Sequence, residues 1–476
     1  MKIFGSFSIY DINIIEKNFF MKKKNNNWWK VHVVMATVTF IVTFSLIVSY
    51  NLTINELKAE IRAEPADEIT NNEVINNVLL INRLEKSMIE EKIADSTEYL
   101  LRVLDETYGG AHKYYYATND SFEERLHTIY TSSLVYTLLK IYDYNNDERL
   151  LTYIDDAVEF ILSMQNLHTA DKSYGAFHYS FYTDSGNKED KFVVGTSSKT
   201  IYTLIEIYNR TQNEEVLNSA VLAADWLLTM QKEDGSMTPY IKKLNGEWKD
   251  TGKESHLYNG QVLSAFSRMY KMTGDKKYLN GAEEIADRTL EKVEMEGCYV
   301  GDDYRDPNPV SSSWVILSLY DYYLALDAID DDSYEGKYGK NFVKKTVLGC
   351  SFDILDRQID DPTNLQVHGR WDGSFSTSGN GWMNEVLSDV YFFCKDQDGG
   401  ESCDKFKDAM IGVTRWLTQF TYGELNSVGL PNPEMANGGL FWNREDKYIR
   451  TDSVCHGVNA LVNMIDEYED GVLLKI

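Results

Sequence analysis

The chain has 476 residues, 43% hydrophobic and 25% charged, which excludes a disordered or fibrous protein and leaves ample apolar material for a core. Its 32 Tyr and 9 Trp against 7 Pro suit packed helices. A formal net charge of −27 repels phosphate backbones, so no nucleic-acid partner is expected, and it weighs against a polyanionic substrate.

Residues 1–30 are rich in lysine (Lys22, Lys23, Lys24, Lys30) and read as a cytoplasmic N-terminal segment. Residues 31–50 (VHVVMATVTFIVTFSLIVSY) hold no Asp, Glu, Lys or Arg and have the length of one helical membrane span. Glu56, Glu60 and Glu64 follow, so the positive-inside rule places everything after the span outside the cytoplasm. No small-residue cleavage signal comes after it, which favours a signal anchor over a removed signal peptide; a buried soluble helix is the alternative. Met21 opens Met-Lys-Lys-Lys and is a second candidate start. Residues 51–72 are polar and acidic and read as a stalk. The expectation is a single-pass membrane protein with an extracytoplasmic domain over 73–476.

Residues 73–107 have a helical pattern with no partner nearby in sequence. A repeat then begins. Lys140-Ile-Tyr142, Glu206-Ile-Tyr208 and Arg268-Met-Tyr270 each close a helix before a tight polar turn, and Met164-Gln165 is echoed by Met230-Gln231. First helices are predicted near 130–143, 197–209, 258–271, 311–326, 381–395 and 453–468. Second helices are predicted near 148–165, 214–231, 276–293, 337–357 and 403–421. Six stand against five, and the helix at 73–107 supplies the twelfth, pairing with the last to close a ring. Short turns join first to second helices, as antiparallel neighbours require. Long connectors rich in Tyr, Trp, Gly and Asp lead to the next first helix, so they share one face. First helices carry fewer charges and are the candidates for the inner ring; second helices look like outer amphipaths.

Twelve helices as six hairpins, with Leu228-Thr-Met-Gln231 … Asp234-Gly-Ser-Met237 and Arg370-Trp-Asp-Gly-Ser-Phe375 where helix meets loop, resemble the (α/α)6 toroids of six-hairpin glycosidases. The resemblance covers roughly residues 73–470 and is architectural. It implies an all-α (α/α)6 toroid, here preceded by one transmembrane helix, with a carbohydrate site at the mouth of the ring. That superfamily and related toroids include glycoside hydrolases, unsaturated-uronyl hydrolases, polysaccharide lyases and sugar epimerases.

Four groups of residues on the long-connector face carry candidate chemistry. The first is His368, Arg370, Trp371, Asp372, Trp382 and Glu385. Here a loop acid and a helix-mouth acid can serve as the two carboxylates of glycoside hydrolysis. Tryptophan faces stack on sugars, and an arginine holds a hydroxyl or carboxylate. Asn380 is read as the N-cap of the following helix. A core tryptophan between two solvated acids is the plainer reading of that stretch. The second group is Asp303, Tyr304 and Arg305, in an acidic turn that is otherwise simply solvated. The third is Arg450, Asp452 and His456 with Asn459 and Asn463, a polar stripe on an apolar helix; buried polar groups need partners or a ligand. The fourth is His256 and Tyr258, suited to proton transfer at a sugar carbon.

Glu385, Asp372, Asp303 and Asp452 are therefore the candidate catalytic residues, and the other side chains of these groups are candidate sugar contacts. No cofactor or metal is expected. Cys455-His456-Gly457 matches a zinc motif of lanthionine synthetase cyclases, but the further cysteine of that family, in a Trp-Cys-Tyr-Gly context, is absent. Five cysteines are an odd number, and Cys394 and Cys403 are near enough to bridge a short loop. A membrane-anchored glycoside hydrolase is the leading expectation. A uronyl C5-epimerase or lyase, and a non-catalytic glycan-binding protein, remain beside it.

Overall fold

The computed structural model describes residues 83–329, 336–397 and 399–474. The expected cytoplasmic segment, membrane span and stalk lie outside the described residues, as do the first ten residues of the 73–107 stretch. Among the described residues no helix is long and apolar enough to cross a membrane.

Among the described residues twelve long helices follow in order, besides a single turn at Pro433–Ala436: α1 (Lys86–Arg102), α2 (Thr128–Asn145), α3 (Arg149–Ser163), α4 (Val194–Thr211), α5 (Glu214–Thr229), α6 (His256–Thr273), α7 (Lys276–Glu296), α8 (Pro309–Asp327), α9 (Lys340–Leu355), α10 (Thr377–Asp396), α11 (Asp404–Thr418) and α12 (Thr451–Asn463). The even-numbered helices pack each on the next, and α12 returns to α2, so the inner ring is closed. The odd-numbered helices lie outside. Helix α1 packs on α12, and β1 (Arg83–Glu85) pairs with β11 (Val472–Leu474), which joins the first and last of the described residues.

Outer helices have one apolar side. In α3, Leu150, Ile154, Ala157, Phe160 and Ile161 are buried while Asp155, Asp156 and Glu159 are exposed. Burying each large side chain there contributes ~1.5–3 kcal/mol. Inner helices are covered on nearly every side, and small hydroxyl residues let them approach. Ser132 and Thr200 meet at 2.9 Å between α2 and α4, and Thr203 donates to the Ser132 carbonyl at 2.8 Å. The repeated tyrosines mark where the inner helices end. Asn146, Gln212 and Gly274 adopt left-handed backbone, and their N–H groups reach the carbonyls of Tyr142, Tyr208 and Tyr270.

Two expectations are corrected. The described chain is not purely helical, because the long connectors fold into short strands. One sheet joins β2 (Tyr114–Tyr116), β3 (Ser121–Phe122) and β10 (Ile449–Arg450); a second joins β4 (Arg125–His127), β5 (Ser180–Tyr182) and β6 (Asn187–Lys188); a third joins β7 (Lys191–Val193), β8 (Tyr240–Leu244) and β9 (Glu247–Asp250). Strands this short carry too few residues for a two-residue alternation to register in sequence. Strands β4, β7 and β10 run straight into α2, α4 and α12, so they fix where the mouth ends of those helices point. The second correction concerns Asn380. Helix α10 starts earlier than expected, capped by Ser376, whose hydroxyl accepts from the Gly379 N–H at 3.1 Å. Asn380 instead holds the preceding loop, accepting from the Trp371 N–H at 2.9 Å.

The glycines in the connectors explain the echoes between repeats. Gly109, Gly175, Gly235, Gly369 and Gly438 all have positive φ, and a Cβ on any of them would lie well inside 3.0 Å of a backbone carbonyl oxygen. Those carbonyls belong to Asp156 of α3, Leu222 of α5, Glu284 of α7, Gly412 of α11 and Asp95 of α1. Two residues on, Ala111, Phe177, Met237, Trp371 and Leu440 each bridge back to the end of the outer helix before them. Each connector is thus pinned to the next outer helix by a residue without a side chain. The remaining outer helix, α9, is tied to its preceding connector by the Cys298–Cys350 disulfide.

Candidate functional site

Counting along the inner helices from their first residues gives three layers of equivalent positions, each of which contributes to the lumen. The sixth residues are Ser133, Lys199, Gln261, Trp314, Trp382 and His456. The ninth are Tyr136, Tyr202, Ser264, Leu317, Glu385 and Asn459; the thirteenth are Lys140, Glu206, Arg268, Asp321, Asp389 and Asn463. A spacing of three or four keeps side chains on one helix face. A cavity is lined from all three layers, with Lys199, Trp382, Glu385, Asp389, Arg268 and His456 among its walls. It is narrow: about 20 Å³ is open to the centre of a water molecule, room for roughly one water. A sugar ring therefore meets this cavity from the mouth side rather than filling it.

Glu385 is the centre of the site. It is 7% exposed, accepts a 2.6 Å hydrogen bond from His456 Nδ1 and a 2.9 Å bond from Asn459 Nδ2. Burial pushes its carboxyl up, but the bond and charge of His456, then Lys140 and Lys199, outweigh this and hold it down at about 2. Glu385 is ionised across the working range. Helices α10 and α12 come close enough for this pair because Gly381 faces Gly457; a Cβ on Gly381 would sit 3.1 Å from the Gly457 nitrogen. Trp382 stacks on Trp314 at 4.2 Å and meets His456 edge-on at 5.0 Å. Lys199 lies over Trp382 at 5.0 Å, and burial pulls its ammonium down.

The thirteenth residues close the floor. Arg268 pairs with Asp321 at 3.0 Å, and Lys140 donates to Asn463 at 2.9 Å. Asn463 in turn reaches Asp389 at 3.3 Å. Burial raises the Asp389 carboxyl to about 6 despite Lys140, with Glu385 pushing the same way. Above, toward the mouth, Asp452 is buried with Arg450 donating to one oxygen. Burial raises its carboxyl, while Arg450 and His456 more than offset that and leave it lowered. Its Oδ1, together with Trp382 Nε1 and Gln261 Oε1, is buried with no hydrogen-bond partner among the described residues.

The structure therefore brings Trp382, Glu385, Asp452, His456 and Asn459 together from two helices. The other candidates lie elsewhere. Trp371 is fully buried, its indole donating to the Ile354 carbonyl at 3.0 Å, and it plugs a connector rather than meeting a sugar. Asp372 is exposed and its backbone is tied to Arg357 at the end of outer helix α9, so it does not face Glu385. Arg370 donates to the carbonyls of Trp371 and Ser374 and holds that loop; His368 lies 3.5 Å from Asp360. Asp303 is exposed and accepts from the Glu254 N–H at 2.8 Å. Tyr304 meets Thr251, and Arg305 stands 3.5 Å from Asp302, which itself accepts the His256 N–H at 3.0 Å. His256 and this acidic turn line an open groove of about 350 Å³ with Lys292 and Glu296 of α7. Tyr258 is half-buried near the mouth, in space that Gly195 leaves free.

Lys199, Arg268 and Asp321 were not visible as site residues in the sequence. One signal existed: Lys140, Glu206 and Arg268 stand at the same place in the three clearest repeats, two residues before the repeated tyrosine. Among the described residues no group of three or more His, Cys, Asp or Glu side chains is arranged to hold a metal ion. Cys455, beside His456, is buried and its thiol is pushed up by that burial.

A family model described as the beta-L-arabinofuranosidase, GH127 catalytic domain, matches residues 66–313, just over half the chain. The chain belongs to that family. No curated protein sequence matches it. Among solved structures, this GH127 member is similar to a cellobiose 2-epimerase from Bacillus thermoamylovorans, at 14% identity over 80% of this chain and 99% of that one, with a TM-score of 0.59. An alpha-1,6-mannanase from a Salegentibacter species matches at 12% identity over 79% and 99%, TM-score 0.54. An unsaturated glucuronyl hydrolase from Streptococcus agalactiae matches at 15% identity over 81% and 94%, TM-score 0.57. These likenesses show the fold of the six-hairpin glycosidase-like superfamily. With the family, they make the chain a carbohydrate-active enzyme of the glycoside hydrolase type. The matched GH127 segment ends at residue 313, so it includes Lys199 and Arg268 but stops before Glu385, Asp452 and His456.

Proposed function

We propose that this GH127 member is a membrane-anchored, outward-facing glycoside hydrolase that removes an arabinofuranose-type sugar at the mouth of the inner ring. The observation that carries the site is the buried Glu385–His456 pair, with Asp452 one helical turn before His456 on α12. In this reading Glu385, ionised, fixes His456 through Nδ1, and the other ring nitrogen donates a proton to the leaving oxygen. Asp452, with one carboxylate oxygen otherwise unpartnered, accepts the proton of the attacking water. Trp382 and Lys199 form the wall against which the sugar is placed. The family name supports the sugar, the charge-free stretch at 31–50 supports the anchor, and two disulfides support an oxidising exterior. Incubation of the purified protein with 4-nitrophenyl β-L-arabinofuranoside tests the reaction. Nitrophenol release that is lost in both Glu385→Gln and Asp452→Asn is expected; release that survives both would place the chemistry elsewhere.

A second reading rests on the same pair. A histidine held by a buried carboxylate also suits removal and return of a proton at a sugar carbon, and one structure sharing the fold is a cellobiose 2-epimerase. Deuterium entering a sugar C–H position from heavy water, with no glycosidic bond broken, would favour that reaction over hydrolysis.

A further inference from the structure

The mouth of the ring carries two lysines that touch no carboxylate directly among the described residues, although Glu189 acts on Lys191 and Asp452 feels Lys113 through space. Lys113 lies over the rings of Tyr114 at 4.6 Å and Tyr130 at 5.6 Å, and Lys191 over Tyr179 at 4.3 Å. Both are half-buried, and among the described residues neither forms an ion pair with a carboxylate. Elsewhere, in a chain of net charge −27, lysines commonly find one: Lys277 pairs with Asp225 at 2.7 Å and Lys249 with Glu247 at 2.7 Å.

Their placement is fixed by backbone rather than by flexible stems. The Lys113 carbonyl accepts the first N–H of α12, from Thr451, at 3.1 Å, and β10 pairs Arg450 with Tyr114. The Tyr179 carbonyl accepts the first N–H of α2, from Thr128, at 3.4 Å, and the Tyr179 N–H donates to the Lys191 carbonyl at 2.9 Å. Lys113 and Lys191 thus stand at the mouth ends of α12, α2 and α4, three consecutive inner helices. Tyr130 is shared, since Arg450 also lies over it, at 5.7 Å. The two lysines are near enough for Lys113 to act on the Lys191 ammonium, which burial first pulls down. The result is an arc of cations alternating with tyrosine rings, with the Asp452 carboxylate held by Arg450 and within electrostatic reach of Lys113.

We propose that this arc binds a sugar bearing an anionic group, a uronate carboxylate or a sulfate ester, next to the sugar at the reaction site. This rests on the glycan-processing reading and adds the substrate class to it. The rings offer faces to sugar C–H groups, and the lysines offer partners to the anion. The tyrosine faces replace part of the water that each ammonium loses on burial. The acidic outer surface does not cancel the arc, because charges beyond about 8–10 Å are screened at physiological salt.

The test is binding by the full-length protein, read by calorimetry. Tetragalacturonate and its methyl ester share a sugar backbone and differ in charge and in the added methyl groups, and a sulfated and a desulfated chondroitin tetrasaccharide form a second pair. Tighter binding of the charged member, ~10-fold at low salt and shrinking as salt rises, is expected in at least one pair. A preference in the first pair assigns the charge to carboxylate, and one in the second to sulfate. In Lys113→Gln/Lys191→Gln that preference should fall to near unity. Equal binding of both members in both pairs, no binding of either charged member, or a preference kept by the double variant would overturn the proposal. Sugar release is scored separately. Charge-selective binding without cleavage leaves this inference standing and removes the hydrolase reading, whereas cleavage without charge selectivity does the reverse.

Discussion

At the scale of single residues, Glu385 and Asp389 stand four positions apart on α10 yet are driven in opposite directions. Glu385 has His456 and Asn459 as partners; Asp389 has burial and a like charge nearby. Glu385→Gln keeps the shape and removes the charge that fixes His456. A loss of ~10²–10⁴-fold in turnover with glycan binding retained is expected. Asp389→Asn, deeper in the floor, should cost much less; equal mild losses from both would mean the pair is structural. The same two groups set a pH dependence of stability. A carboxyl lowered to about 2 contributes stability in full above about 4.5, lost as pH falls toward 2. One raised to about 6 contributes below about 4, and that contribution is lost as pH rises through 6. The melting temperature should therefore fall between pH 5 and 7, and Asp389→Asn should flatten that slope, by the equivalent of ~1–2 kcal/mol. A variant with the wild-type slope would assign it to another group.

At the scale of elements, the connectors depend on glycine for two separable reasons. Gly438 and Gly186 both have positive φ, at 79° and 68°. A side chain at Gly186 would enter open space, while one at Gly438 would collide with the Asp95 carbonyl of α1. Gly186→Ala should cost only the backbone strain, ~1–2 kcal/mol. Gly438→Ala should cost more, ~3 kcal/mol or above, because the connector must leave α1. Urea midpoints of the two variants measure the difference. Similar midpoints would show that the connector moves without loss.

At the scale of the whole molecule, closure is the issue. Inner-ring contacts run from α2 round to α12 and back, and α1 covers the outer face of α12. Without residues 73–107, β11 loses its partner strand, and Val454 and Val458 with the rest of that face lose their cover. A truncation starting at 108 should be insoluble or melt without a cooperative transition; a soluble one that unfolds sharply would mean the ring closes without α1. The proposed orientation is tested on intact cells, where added protease should digest the domain. Protection until lysis would put it on the other side.

Much of the architecture was legible in the sequence because helical hairpins are local. Amphipathic spacing, polar turns and the repeated tyrosines lie within a few residues of one another, and the count of six against five already required a closing helix. Glu385, Trp382, Asp452 and His456 were legible as polar or aromatic residues at helix mouths. What sequence distance hides was decided by the tertiary structure. Glu385 and His456 are 71 positions apart, and only the approach of α10 to α12 at Gly381 and Gly457 makes them a pair. Asp372 was expected as the loop acid opposite Glu385, yet the loop turns Trp371 inward and leaves Asp372 outside. Lys199, Arg268 and Asp321 became site residues because six helices of equal polarity were arranged around one axis. Which side of a helix faces the lumen is set by the neighbours it packs against, and no single helix carries that information in its own sequence.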